Sequence, residues 1–563
     1  MSHLNTRKHT FVSRFLPVVV ALVALLLAAS AHASAPGIKG SRFALNAGVA
    51  YNSQPDGELI YSWGYGCTGG NISASTGAAY APAQFATLGS CPAVQFPGPT
   101  LIVTEGATAT FIVTLTNNLP NAAGNTSIVF PGLTVTSCTG PKGLLTCEAI
   151  PGGTATYTVS IPVGSAGTHA YYSGTQQDLQ IEMGLFGAVV VLPSTTYSNC
   201  DSGTGATSVI AHRDDFRLAP NAYDHALTCY DREYLFQWSE MDPRIHRQAE
   251  AQANAKVNCT VGNAGCSLDV ATEPYHPNYF LINGRSMPDD MDPDYAPNYP
   301  NQPYNGNPHM HPGELILLRT IGQGHWQHPF HEHGNHVRIL ARDGHMLLAQ
   351  VNGPATGANS SASTSPLLAG RMEFDTDTTP GQSFDGIFYW SGKGLGWDIY
   401  AHTPANGAGN PTCVPDVNGF YTNLSGAAIP AYGPNPSGVG VSMTSGAPNY
   451  YEWCQDHNVP LEANPVGQVG GGGPMTLFDP LIVTNGLWFN GTPYLSQDAV
   501  GRSRGPTPLP PGSALQNPPA ESGIAFMWHS HNEREITTND VFPGGMLMMM
   551  LVDPYIWNID ETL

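Results

Sequence analysis

Glycine and proline interrupt this 563-residue chain at short intervals, and that spacing limits the fold more than any other feature. The 63 glycines and 48 prolines make up about a fifth of the residues. The apolar runs between them are short, as in 100–117, 183–192 and 314–321. Short apolar runs between turn residues are typical of β-strands, and only 243–255 has a helical pattern. We therefore predict an all-β chain of sandwich or barrel type.

The first 33 residues have the features of an export signal. Arg7, Lys8 and Arg14 give a basic start, the run 15–28 is apolar, and 31–33 (Ala-His-Ala) is typical of a cleavage site. The apolar run is short for a membrane span, and no later stretch is long and apolar enough to be one. We predict a protein exported to the periplasm or beyond the cell. About 530 residues then remain, enough for two to four domains.

The charge balance limits the class of partner. The chain carries 42 acidic and 21 basic residues, a formal net charge of -21. A field of that sign disfavours nucleic acid and anionic membranes as partners. A small-molecule or metal-ion substrate remains compatible with it, and the sequence leaves oligomerisation open.

The cysteine content predicts disulfide bonds. An even number of cysteines in an exported chain is typical of disulfides, and there are ten. Cys138 and Cys147 are near enough in sequence to pair locally, as are Cys259 and Cys266. The pairing of the others is not fixed by spacing. No cysteine follows Cys454.

Histidines concentrate in two segments. Two His-x-His pairs, His331/His333 and His529/His531, have the spacing that places both side chains on one face of a strand. Two such strands brought together offer four imidazole nitrogens, a donor set that suits copper or zinc. His328 and His336 are further candidates. Eight histidines lie in the first cluster: His309, His311, His325, His328, His331, His333, His336 and His345.

The C-terminal run Met546–Met550 has two interpretations. Alternation along a strand would place Met546, Met548 and Met550 on one face. Thioethers clustered in this way can hold Cu(I). The frequency of apolar strands favours a buried final strand instead.

Four segments resemble the multicopper oxidases, laccase-like proteins built from cupredoxin domains. They are 96–120, 167–193, the motif HPFHEHG at 328–334, and WHSHNERE…FPGGM at 528–546. The resemblance implies copper as cofactor and two or three cupredoxin-like Greek-key β-sandwich domains.

The domain bounds follow from the same resemblance. After the signal at 1–33, a first domain covers 36–195 and a second covers 205–400. A loop-rich insertion and the C-terminal strands cover 401–563. These strands either close the second domain or belong to a third sheet.

The resemblance fails at several ligand positions. In the first domain, Val129, Pro131, Tyr172 and Gly174 stand where the family has two His-x-His pairs. In the second half, His328 matches one ligand of the family's blue copper site. Ser530 stands in place of the cysteine ligand of that site and Glu535 in place of the second histidine, and Met546 is a candidate axial ligand. A blue copper site needs a thiolate, so the usual electron relay is missing.

These residues support three hypotheses. The leading one is an exported copper-dependent oxidoreductase with a reduced copper complement, with the metal held by His331, His333, His529 and His531. The second is a protein that binds or stores copper without turnover. The third is a structural cupredoxin scaffold. No catalytic residue is assigned, although Glu332 and Glu535 are candidates either for hydrogen bonds to the ligands or for a general base.

Overall fold

The computed structural model describes residues 35–72, 76–197, 200, 215–311, 314–349, 368–390, 492–494, 523–553 and 559. The predicted export signal, Cys413 and Cys454 lie outside these residues. Within the described ranges, no helix has the length and apolarity needed to cross a membrane.

Strands are the main regular structure of the described chain. They are β1 (Gly37–Lys39), β2 (Arg42–Ser53), β3 (Leu59–Cys67), β4 (Ala79–Ala81), β5 (Leu101–Thr104), β6 (Thr110–Asn117), β7 (Thr134–Thr139), β8 (Thr154–Ser160), β9 (Gly167–Tyr172), β10 (Phe186–Leu192), β11 (Arg232–Met241), β12 (Tyr279–Ile282), β13 (His309–Met310), β14 (Leu315–Gly322), β15 (His328–Glu332), β16 (Val337–Arg342), β17 (His345–Met346), β18 (Met372–Glu373), β19 (Asp375–Thr378), β20 (Ser383–Tyr389), β21 (Thr492–Tyr494), β22 (Gly523–Ser530) and β23 (Leu547–Val552). Two α-helices, α1 (Gln177–Gln180) and α2 (Pro243–Ala255), accompany them. The all-β prediction is confirmed.

The first ten strands form a β-sandwich. One sheet has the order β4-β1-β5-β10-β9 and the other has the order β3-β2-β6-β8-β7. Strand β6 shows why the sheets pack: Phe111, Val113 and Leu115 alternate with less buried residues and are fully buried. They meet Val189 and Val191 of the facing sheet in one hydrophobic core. Each such side chain contributes roughly 1.5–3 kcal/mol by leaving water.

The remaining strands form a second sandwich. One sheet has the order β12-β11-β14-β20-β16-β17, with β18 beside β16. The other has the order β13-β23-β22-β15-β19, with β21 beside β22. Strands β22 and β23 therefore lie in the sheet that contains β15, and they close the second sandwich. Phe236, Trp238, Phe330 and Trp528 pack together between the two sheets.

The methionines of the last strand are divided between its two faces. Met546, Met548 and Met550 are fully buried in the core of the second sandwich. Met549 lies on the opposite face and is half-buried. The run Met546–Met550 is therefore mainly buried, which is the interpretation that the frequency of apolar strands favours.

Helix α2 occupies the residues of the predicted helix. Asp242 caps it by accepting from the backbone N–H of Arg244 (2.9 Å), and Pro243 occupies the first turn. Ile245, Ala249 and Ala253 form its buried face and pack into the core of the first sandwich.

Disulfide bonds join both locally spaced cysteine pairs. Cys138 bonds Cys147 and Cys259 bonds Cys266, as predicted. Cys67–Cys91 and Cys200–Cys229 are the other disulfides among the described residues. Cross-links of this kind typically stabilise by limiting the unfolded chain.

Candidate metal centre

Strand pairing brings the two His-x-His pairs together. Strands β15 and β22 are antiparallel neighbours, and His331 lies directly opposite His529. Because residues two apart share a face, His333 and His531 project from that same face. The ring centroids of His331 and His333 are 4.7 Å apart, and those of His333 and His529 are 5.2 Å apart.

Three of the four predicted ligands converge on one point. His331, His333 and His529 each offer a ring nitrogen, and these atoms all lie within 4.8 Å of one another. The Nε2 atoms of His333 and His529 are 3.2 Å apart. Two nitrogens bound to one tetrahedral ion at about 2.0 Å would be separated by roughly 3.3 Å. The spacing therefore fits a shared metal ion.

Hydrogen bonds orient two of these rings. Nδ1 of His331 donates to the carbonyl oxygen of Phe374 (2.5 Å), and Nδ1 of His529 donates to that of Ser530 (2.7 Å). A carbonyl can only accept, so the proton of each neutral ring is on Nδ1. The lone pair is then on Nε2, which faces the cluster, and this is the usual support for a metal-binding histidine.

The protonation state of the rings suits metal binding. The pKa of His331 is lowered to about 4, mainly by burial and in part by the nearby rings of His529 and His531. Burial also lowers the pKa of His529. Both rings are thus neutral near pH 7, which is the form that binds metal.

His531 and His336 lie at the edge of this group. His531 is exposed, and its ring centroid lies 4.9 Å from that of His331. Asp375 of β19 lies opposite His331 in the sheet, and burial raises the pKa of its carboxyl group. His336 packs against Phe374 with ring centroids 5.2 Å apart, outside the three-nitrogen group.

His328 is held by two carboxylates instead. Its Nδ1 lies 2.8 Å from Oε2 of Glu535 and its Nε2 lies 2.8 Å from Oε2 of Glu240, and the ring is fully buried. Burial alone would lower the pKa of His328, but its bonds to Glu240 and Glu535 raise it to about 9. The ring is therefore an imidazolium, and both nitrogens donate. Neither nitrogen has a lone pair left for a metal.

The neighbours of His328 do not fit a blue copper site. Ser530 donates its hydroxyl to Oε2 of Glu535 (2.5 Å), and Asn532 donates to Oε1 (2.9 Å). The side chain of Met546 lies in the hydrophobic core, and its backbone N–H donates to the carbonyl of Glu535 (2.8 Å). A hydroxyl, an occupied carboxylate and an imidazolium replace the thiolate and free imidazoles that such copper requires.

The first-sandwich positions lie together but carry no imidazole. The N–H of Val129 donates to the carbonyl of Tyr172 (2.8 Å), so these two positions are neighbours. Tyr172 borders a cleft of about 370 Å³, which Asp178, Gln323 and His325 also line. Among the described residues, the three-nitrogen group includes no side chain of the first sandwich.

Sequence patterns did not indicate two parts of this centre. Glu240 is 88 positions from His328, and it ends a fully buried strand with no local motif. The Phe374 carbonyl is a backbone group on a neighbouring segment, so no residue type marks it.

Comparisons with known proteins give one family match and several similar solved structures. Residues 91–196, within the first sandwich and the segment that follows it, match the family model described as multicopper oxidase. No curated protein matches the chain. The multicopper oxidase mgLAC is similar at 13% identity and a TM-score of 0.40, over 93% of this chain and 88% of its own. The blue copper oxidase from Nitrosomonas europaea is similar at 14% identity and a TM-score of 0.39. The match covers 91% of this chain and 85% of that oxidase. The copper nitrite reductase from the same organism is similar at 13% identity and a TM-score of 0.35. The match covers 62% of this chain and 84% of that reductase. The match to the multicopper oxidase family model therefore lies in the first sandwich, where the sequence resembles that family.

Proposed function

We propose that this chain is an exported copper-dependent oxidoreductase with a reduced copper complement and no blue-copper relay. One observation carries the proposal: His331, His333 and His529 place ring nitrogens within 4.8 Å of one another on one sheet face. His531, whose ring centroid lies 4.9 Å from that of His331, is a candidate fourth donor. Copper held there would supply one-electron redox chemistry.

The protein residues have distinct tasks in this proposal. The carbonyls of Phe374 and Ser530 fix the tautomers of His331 and His529, so that Nε2 faces the ion. Exposed His531 marks the side from which a small molecule or a metal-ion substrate reaches the centre. Because Ser530 stands where the relay thiolate would be, the substrate must bind beside the metal in this proposal.

A second candidate is a protein that stores or carries copper without turnover. The observation that favours it is the loss of relay residues, since both nitrogens of His328 are occupied by Glu240 and Glu535. A structural cupredoxin scaffold is the third candidate. It shares the metal site and lacks turnover, and in it the metal contributes only stability.

Copper loading and turnover separate these candidates. We expect the copper-loaded protein to oxidise a phenol or a reduced metal ion, and the His529→Ala variant to lose this activity. His345→Ala is the matched control, because His345 is exposed and lies outside the three-nitrogen group. Tight copper with no turnover of either substrate would contradict the enzyme and leave the carrier or scaffold.

Export rests on the disulfides and on the composition of the first 33 residues. Disulfides persist in oxidising compartments. N-terminal sequencing of the protein from its native host should show a mature chain that starts near residue 34. An intact Met1 in the active protein would contradict cleavage.

A further inference from the structure

A pair of methionines lies on the sheet face that carries the histidine cluster. Strands β22 and β23 are antiparallel neighbours, and Met527 lies directly opposite Met549. His529, two positions along β22 from Met527, belongs to the three-nitrogen group. Residues two apart on a strand share a face, and so do residues directly opposite each other on neighbouring strands. Met527 and Met549, the thioether pair, therefore project from the same face as the imidazoles.

His333 is the neighbour of Met527 on the side of β15. The backbone N–H of His333 donates to the carbonyl of Met527 (3.3 Å), which extends the pairing of Glu332 with Trp528 by one residue. His333, Met527 and Met549 thus form one row across three strands. Side chains directly opposite each other in an antiparallel pair have Cβ atoms about 4.5–5.5 Å apart. The row places a thioether beside an imidazole of the three-nitrogen group.

The thioether pair differs from the methionines that pack the core. Met548 and Met550 are fully buried between the sheets, whereas Met527 and Met549 are half-buried on the outer face. A third sulfur near this face is already engaged, because Sδ of Met291 accepts from the N–H of Met549 (3.4 Å). Packing of the second core therefore accounts for the inner methionines and does not account for the thioether pair.

The thioethers are the soft donors available at this centre. Within the described ranges every cysteine is in a disulfide bond, so no thiolate there can serve as a ligand. Imidazole suits copper in general, whereas the neutral, polarizable sulfur of methionine favours Cu(I). A copper ion that takes part in redox turnover has to be held in both oxidation states.

We propose that Met527 and Met549 give the copper centre a soft side that binds Cu(I). Met527, the direct neighbour of His333, supplies the first thioether, and Met549 lies next to it in the same row. This inference rests on the proposed function, because it needs the imidazole site. It adds the residues that retain the reduced ion.

Copper competition with the chelator-treated full chain tests the thioether pair. A coloured Cu(I) chelator without oxygen, and a Cu(II) chelator in air, report the two affinities separately. We expect Met527→Leu to weaken Cu(I) binding by about tenfold or more, since removing even an outer partner of a metal ligand has that effect. Cu(II) binding should stay within about threefold of the wild type, because a thioether favours Cu(I).

A matched control separates ligation from packing. Met548→Leu makes the same substitution at a core-facing position one residue from Met549, and it should change neither affinity. Exchange of methionine for leucine nearly conserves volume, so both variants should keep the fold. Equal weakening of Cu(I) binding in Met527→Leu and Met548→Leu would contradict the proposal.

Copper X-ray absorption of the Cu(I)-loaded wild type gives a measurement that needs no variant. We expect sulfur as well as nitrogen around the copper, and loss of the sulfur in the double variant Met527→Leu/Met549→Leu. Nitrogen alone around Cu(I) in the wild type, or unchanged Cu(I) affinity in Met527→Leu, would overturn the soft side and leave the histidine site standing. A wild type that binds neither ion would overturn the proposed function as well, so the two failures are distinguishable.

Discussion

His328 shows how one residue changes the chemistry of a family position. Where the resemblance predicts a copper ligand, the ring is buried and bonded on both sides by Glu240 and Glu535. The positive charge at this position is that of the protonated His328 ring. The charged ring links β15 to β11 and to the segment that contains Glu535.

The bonds of His328 to Glu240 and Glu535 predict that the stability of the fold depends on pH. The folded pKa of about 9 exceeds the usual value of 6.5, so the folded state binds the proton more tightly. The contribution is fully present below pH 6.5 and is lost as pH rises through about 9. We expect the free energy of unfolding to fall by on the order of 3 kcal/mol across that window. Urea unfolding of the wild type and His328→Gln measures it, and an equal fall in both would contradict the assignment.

Glu332 predicts a stabilising substitution. It lies between two candidate ligands but faces the core beside Phe330, and neither carboxylate oxygen has a hydrogen bond among the described residues. Glu332→Leu should raise the free energy of unfolding by about 1–3 kcal/mol, because a buried unsatisfied polar group is removed.

A matched control for this substitution is Glu535→Leu. Glu535 is equally buried but bonded to His328, Ser530 and Asn532. Its loss should destabilise by about 3–5 kcal/mol, since it leaves His328 without one partner. If Glu332→Leu lowers the urea midpoint instead, its carboxyl has a stabilising contact.

Single residues also show what a sequence pattern can and cannot indicate. The His-x-His spacing marked His331, His333 and His529 because alternation along a strand is a local property. The bonds of His328 were not predictable in the same way. Its partners lie 88 and 207 positions away, and only folding brings them to the ring.

At the scale of elements, β23 has a clear division between its faces. Met548 is fully buried in the core, and Met549 is half-buried on the opposite face. We expect Met548→Ala to cost about 2–5 kcal/mol, because it leaves a cavity in a packed core. Met549→Ala should cost less than half as much. Urea unfolding of the two variants checks this, and equal costs would contradict the strand register.

The pairing of β15 with β22 builds the centre. Each strand was predictable from its own pattern, but their contact was not, because nearly 200 positions separate His333 from His529. The family resemblance suggested that the two motifs meet. The sheet order shows how: β22 lies between β15 and β23, which places His331 opposite His529.

At the scale of the whole molecule, the two sandwiches have different roles. The first carries the match to the family model, and in it Val129 and Tyr172 are neighbours at positions where the family has histidines. The second holds every member of the three-nitrogen group. The glycine and proline content predicted the all-β class, but it could not assign the C-terminal strands to a sheet.

Copper is expected to bind at His331, His333 and His529. Copper titration followed by electron spin resonance tests it most directly, on the wild type, His529→Ala and His345→Ala. We predict one or two coppers per chain, coordinated by at least three imidazole nitrogens, without the intense blue absorption of copper–thiolate bonding. His529→Ala should lose that signal and His345→Ala should keep it. Three or four coppers, a blue site, or no retained copper in the wild type would contradict the account.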